Sequence, residues 1–101
     1  MIKLTEEKMV KNNIKGRDLE KKGETDKAIK LYLKNIQNRF QGSHPYTRLA
    51  TIYRKQKQYD KEIEVLELAV DVFTNDVPII RPDREKKLEN YKKQLEKART
   101  R

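Results

Sequence analysis

The sequence predicts an all-α fold, a stack of helical hairpins, and three observations predict it. Apolar residues recur at three- and four-residue steps along most of the chain. Glycine and proline occur only three times each, which leaves long uninterrupted stretches, and the chain resembles itself at an offset of 34 residues. Composition agrees, because 35% hydrophobic against 41% charged residues suits slender helices with wide solvated faces better than one thick core. At 101 residues the chain reads as one domain, 1–101. It has no cysteine and one histidine, so disulfide staples, thiolate metal sites and histidine-rich ligand clusters are excluded and no cofactor is expected.

The elements follow in order. Thr5 stands before Glu6 and Glu7, an N-cap with acids suited to the positive end of a helix, and Leu4 and Met9 occupy the two positions of a hydrophobic staple. A first helix over 6–22 results, with Gly16 inside it. The segment from Gly23 to Asp26 supplies a turn and a cap for a second helix, where Ala28, Ile29, Tyr32, Leu33 and Ile36 share a face up to the neighbourhood of Arg39. Gln41, Gly42 and Ser43 break the chain, and Ser43 can cap a third helix with Pro45 in its first turn. Tyr46, Leu49, Ala50, Ile52 and Tyr53 make that helix amphipathic. After a break without glycine near Lys57 and Gln58, a fourth helix over 60–73 carries Ile63, Val65, Leu66, Ala69, Val70 and Phe73. Thr74 to Arg81 reads as a loop, and Pro82 at a first helical position opens a fifth helix, 82–99, with the narrow stripe Leu88, Tyr91, Leu95 and Ala98. Such a stripe fits a terminal helix packed on one face and wet on the rest.

The 34-residue offset pairs Gly16 with Ala50, Leu19 with Tyr53, Thr25 with Tyr59, Ile29 with Ile63, Tyr32 with Leu66 and Ile36 with Val70. A period of this size marks a stacked helical array in which each hairpin leaves an apolar side for its neighbour to cover. Tyr46, Leu49, Ala50 and Tyr53 follow the order large, leucine, small, aromatic, with Tyr59 and Leu66 in place behind them, and the first copy keeps Gly16, Leu19, Ala28 and Tyr32. In these residues the chain resembles the tetratricopeptide repeat. The resemblance covers 9–76 and implies an α-α superhelix of two hairpins, repeat one at 9–42 and repeat two at 43–76, leaning together through Gly16 and Ala50, with helix 82–99 as a cap. The departures are Asn12 and Lys15 where the first copy should be apolar, Glu62 for the usual alanine, Phe40 and Thr74 for the closing proline, and Arg84 at the small site of a third copy.

No catalytic constellation emerges. His44 has no cysteine or serine to activate and reads as a structural or surface residue, Glu62 with Glu64 and Glu67 with Asp71 read as a solvated acidic face, and no glycine-rich phosphate loop exists. The expectation is a protein without chemistry of its own. Charge is more telling. No acid lies between Asp26 and Asp60, while Lys27, Lys30, Lys34, Arg39, Arg48, Arg54, Lys55 and Lys57 do, a continuous basic strip over the second and third helices in a chain of net charge +9. The fourth helix answers with Asp60, Glu62, Glu64, Glu67 and Asp71, so part of the strip's field is open to neutralisation within the fold.

In the family resembled, the first helix of each hairpin lines a concave surface that holds peptides or helices of a partner. Carried over, the groove comprises Val10, Asn13, Ile14, Arg17 and Lys21 from the first helix and His44, Thr47, Arg48, Thr51, Arg54 and Lys55 from the third. Val10 and Ile14, four residues apart, point away from the packing face and invite a cover: a partner helix, a second copy of the chain in a homodimer, or the C-terminal helix. Some family members grip chaperone carboxylates with a lysine and asparagine clamp. The matching sites here hold Asn13, Arg17 and Arg48, so that clamp is not reproduced. The expected function is a cytoplasmic adaptor, a protein–protein interaction module for an acidic or amphipathic segment. The rival is a basic nucleic-acid-binding protein, or an inhibitor of a nucleic-acid-processing enzyme. Against it, Tyr32, Tyr46, Tyr53 and Tyr59 are assigned to repeat packing and Phe40, Phe73 and Tyr91 to helix ends or the cap, which leaves few rings for base stacking. No apolar run reaches the roughly 18 to 20 residues of a membrane span, and no signal-peptide stretch opens the chain.

Overall fold

The computed structural model describes residues 4–101, and its elements among them are helices with no strand. In chain order these are α1 (Glu6–Lys21), α2 (Thr25–Gln37), α3 (His44–Lys55), α4 (Tyr59–Asn75) and α5 (Arg84–Arg99). Each helix packs against the next in sequence, and after the long α4–α5 loop α5 returns to lie along α4. The architecture is that of tetratricopeptide-like helical hairpins, α1–α2 and α3–α4, followed by a packed terminal helix.

Thr5 caps α1 as its sequence promises, its Oγ1 accepting from the Lys8 N–H at 3.1 Å. Ser43 precedes α3 but makes no side-chain cap bond. The helix ends share one device. Gly23, Arg39 and Lys57 all have positive φ (79°, 54° and 59°), and after each the next N–H reaches back five residues: Glu24 to Leu19 O at 2.8 Å, Phe40 to Asn35 O at 3.2 Å, Gln58 to Tyr53 O at 2.8 Å. This is a left-handed helix stop used three times, once with glycine and twice with a long basic residue. It accounts for the glycine-free break at Lys57, and it ends α2 at Gln37 and α3 at Lys55, slightly earlier than the periodicity alone suggests.

The core lies in the second hairpin and against α5. Tyr46, Leu49, Leu66, Ala69, Val72 and Phe73 are fully buried, and Tyr91 of α5 closes an aromatic cluster with Tyr46 and Phe73, centroids 5.4–6.5 Å apart. Leu88, Leu95 and Ala98 are buried with it, so the narrow stripe packs as expected.

Several expectations need correction. Helix α5 begins at Arg84 rather than at Pro82, because two turns, Arg81 N–H to Pro78 O at 3.0 Å and Arg84 N–H to Arg81 O at 3.2 Å, occupy the residues before it. Arg84 does not act as a small contact residue: its guanidinium is buried and donates to Val77 O and Thr74 O, both at 3.1 Å. It thereby supplies a positive charge to the C-terminal end of α4, whose last turn has none. Gly16 does not join the two hairpins. A Cβ there would stand 2.5 Å from Cε1 of Tyr32, so the glycine makes room for a ring of α2 within the first hairpin. Tyr59 is 40% exposed rather than packed, its ring 5.7 Å from the Arg101 guanidinium carbon. Glu62 is buried, not part of a solvated acidic face, and is paired with the same Arg101. One C-terminal arginine thus meets both the departure at Glu62 and the exposed ring of Tyr59.

Asn12, misplaced for an apolar site, is buried as well. Its Nδ2 donates to Asn35 Oδ1 at 3.2 Å, and Asn35 Nδ2 donates to Met9 O at 2.8 Å and Asn13 Oδ1 at 2.7 Å. The first hairpin therefore closes over a satisfied polar network, and Lys15 simply faces water.

Candidate partner-binding groove

The candidate groove is the face made by α1 and α3, and its chemistry is set by what each side chain already holds. Val10 and Ile14 are 43% and 52% exposed with α5 in place, so the C-terminal helix is not their cover. Both follow from the 3.6-residue period of α1, whose opposite side buries Met9, Asn12 and Gly16. Arg17 and Lys21 continue the same exposed face, and Arg54 and Lys55 are exposed at the end of α3. Among the described residues these four cations have no carboxylate within 4 Å.

Other expected groove residues are engaged within the fold. Asn13 accepts from Asn35. Thr47 lies 3.0 Å from the Tyr91 hydroxyl, whose own proton goes to Ser43 O at 3.1 Å, so Thr47 is the donor of that pair. Thr51 is half-buried. Arg48 is held by Glu20, with Nη2 2.6 Å from Oε1 and Nε 3.2 Å from Oε2. The Tyr32 hydroxyl donates to the same Oε2 at 2.7 Å, and His44 Nε2 lies 3.4 Å from that hydroxyl. Gly16 makes this possible: across its missing side chain the Tyr32 ring reaches from α2 to the α1–α3 face.

The electrostatics follow from the geometry. Burial raises the pKa of the Glu20 carboxyl, but the hydrogen bonds from Arg48 and Tyr32 outweigh it and leave the group below the usual carboxylate value. Burial and then the bond to Glu20 push the Tyr32 phenol up. For His44, burial lowers the pKa, Glu20 opposes this, and Arg17 and Arg48 add to the lowering.

The basic strip is not continuous. Arg39 turns away to Asp76, at 2.8 and 3.0 Å, and to Asp71, at 2.9 Å, while Arg48 is committed to Glu20 and Lys27 to Glu24. Sequence reasoning missed Glu20 and Asn35, whose roles depend on partners 12 to 28 residues away. Ile79 and Ile80, 83% and 90% exposed between Pro78 and Pro82, carry no helical spacing that would single them out in a segment whose composition marks it as a loop. For Glu20 a signal existed: it stands four residues after the glycine and three after Arg17 on one helix.

Fold and face together define a helical hairpin array with one two-helix surface left open and cationic. Residues 43–76, the span of α3 and α4, match the family model described as Tetratricopeptide repeat, a motif of protein–protein interaction modules that are generally non-enzymatic scaffolds. No curated protein and no solved structure matches the chain. No helix among the described residues is long and apolar enough to cross a membrane.

Proposed function

We propose that the chain is a non-enzymatic adaptor whose α1–α3 face receives an acidic, amphipathic segment of a partner protein. One observation carries this reading: the exposed apolar pair Val10 and Ile14 is followed on α1 by exposed Arg17 and Lys21, α3 ends in exposed Arg54 and Lys55, and among the described residues none of these four cations has a carboxylate within 4 Å. Spaced by one helical turn, that pair suits leucine or isoleucine on one face of a partner helix, and the cations suit acids beside it. Arg48 contributes less charge than its type suggests, because Glu20 already neutralises it. Val10, Ile14, Arg17, Lys21, His44, Arg54 and Lys55 form the working surface, while Asn13, Thr47, Arg48 and Thr51 shape it.

The test is fluorescence-anisotropy titration of an acetylated helical peptide of leucine, alanine and glutamate, with leucines four apart and glutamates between them. Ile14→Asp, and Arg17→Glu with Arg54→Glu, should each weaken binding about tenfold or more, which corresponds to about 1.4 kcal/mol. Equal binding by wild type and both variants removes the groove. Tight retention of single-stranded oligonucleotides with steep salt dependence, in the absence of peptide binding, replaces this reading by the nucleic-acid one.

A further inference from the structure

Resting on that groove reading, we propose that binding at this face is proton-linked: His44 takes up a proton when an acidic segment docks, and the complex tightens as pH falls from 8 toward 5.5. His44 occupies the first position of α3, half-buried on the α1–α3 face. Every element packed around it presents a charged or titratable group. Helix α1 contributes Arg17 and Glu20, α2 contributes Tyr32, and α3 itself contributes Arg48. On the α5 side, the Tyr91 hydroxyl is tied to Ser43 O and Thr47, the residues flanking this turn.

In the empty groove this setting disfavours an imidazolium for three separate reasons. The ring has lost part of its water, two guanidinium groups face it, and it stands at the positive end of a helix. The single opposing carboxylate, Glu20, offsets this only in part. Glu20 already accepts from the Tyr32 hydroxyl and from Nε and Nη2 of Arg48. A row of partner acids laid against Arg17 and Arg54 would reverse the balance, adding negative charge to what Glu20 alone supplies.

The cluster also holds an acceptor for a ring N–H. Because the Tyr32 hydroxyl gives its hydrogen to Glu20, the lone pairs of its oxygen are what His44 Nε2 meets at 3.4 Å, with the two rings edge to face at 5.4 Å between centroids. An Nε2–H donates there in the neutral ring and in the imidazolium alike, so the contact holds the ring in place through the protonation. Gly16 is what brings that oxygen into the groove, so the same residue that seats Tyr32 equips the histidine.

The sign of the effect is fixed by linkage. With a low pKa in the free protein and a higher one in the complex, affinity is flat above both values, rises as pH falls through the bound value, and levels off below the free value. Each unit of separation is worth tenfold in affinity across that window. The interval compared, pH 8 to 5.5, lies above the range in which peptide glutamates titrate, about pH 4.3.

The experiment follows the imidazole resonances of the wild-type chain by NMR with and without saturating leucine–glutamate peptide. His44 is the only histidine, so assignment is direct. The expected result is an upward move of its titration by half a unit or more, with affinity about threefold or more higher at pH 5.5 than at pH 8. His44→Gln, with its fold verified by circular dichroism, should lose that pH dependence, whatever its affinity at pH 8. A peptide with glutamine for glutamate should leave the titration where it was. Peptide binding with an unmoved His44 titration, or with the wild-type pH dependence retained in His44→Gln, overturns the proton linkage and leaves the groove standing. Failure of the peptide to bind at any pH overturns the groove reading, and the linkage falls with it.

Discussion

The two hairpins repeat the same 34-residue step but close their seams with different chemistry. Between α3 and α4 the contact is apolar, built from Leu49, Tyr53, Val65, Leu66, Ala69 and Phe73. Between α1 and α2 it is polar at one end, where Asn12, Asn13 and Asn35 bond to one another and to Met9 O, and sterically tuned at the other, where Tyr32 lies over Gly16. The family match at 43–76 falls on the apolar seam. What the difference teaches is that the hairpin geometry tolerates a change of mortar, provided every buried polar atom finds a partner. None is left unsatisfied among the described side chains.

Truncations in the two seams should separate the two kinds of contact. Leu66→Ala removes a fully buried side chain from the apolar seam and should cost about 2–5 kcal/mol in urea unfolding. Asn35→Ala strands Asn12, Asn13 and Met9 O together and should cost about 3 kcal/mol, whereas Asn12→Leu with Asn35→Leu should cost less, since it removes one of the three stranded groups while Met9 O and the Asn13 amide oxygen still lose their donor. If the double variant is worse than Asn35→Ala, the seam needs its polarity and the contrast between hairpins is one of kind.

Gly16→Ala sharpens the comparison at the other end of the seam. The added methyl meets the Tyr32 ring, which cannot swing aside because its hydroxyl is tied to Glu20, and a loss of about 2 kcal/mol is expected. Tyr32→Phe should relieve little of it, as the clash is with the ring itself. The smallest effect concerns the linkers. Lys57→Gly should gain about 0.5 kcal/mol by relaxing a left-handed residue. Arg39→Gly has the same backbone geometry but should lose stability, because Arg39 also bridges α2 to Asp71 and Asp76. Thermal unfolding of the two variants side by side checks both signs.

Much of the candidate site was visible beforehand, and what was not has a common origin. Val10, Ile14, Arg17, Lys21, Arg54 and Lys55 are exposed on α1 and α3, as helical spacing alone would have it. Sequence puts Arg48 in a bare basic wall, yet its neutralising acid sits 28 residues earlier on another helix. The repeat assigns Tyr59 to packing, and it stands in solvent beside Arg101. In both cases the residue type and position were right and the neighbour was not.

Helix number, the 34-residue step, the cap at Thr5 and the one-sided packing of α5 follow from the sequence, because each depends on residues within a turn or two of one another or on a fixed period. Which cations stay free, which acids are buried and where Tyr32 points depend on how whole helices cross. Glu20 meets Arg48 and Tyr32, Asn12 meets Asn35, and Glu62 meets Arg101 only after the hairpins have docked. Periodicity reports which side of a helix avoids water; it carries no term for the reach of a guanidinium across a seam, and that reach decided the charge of the groove.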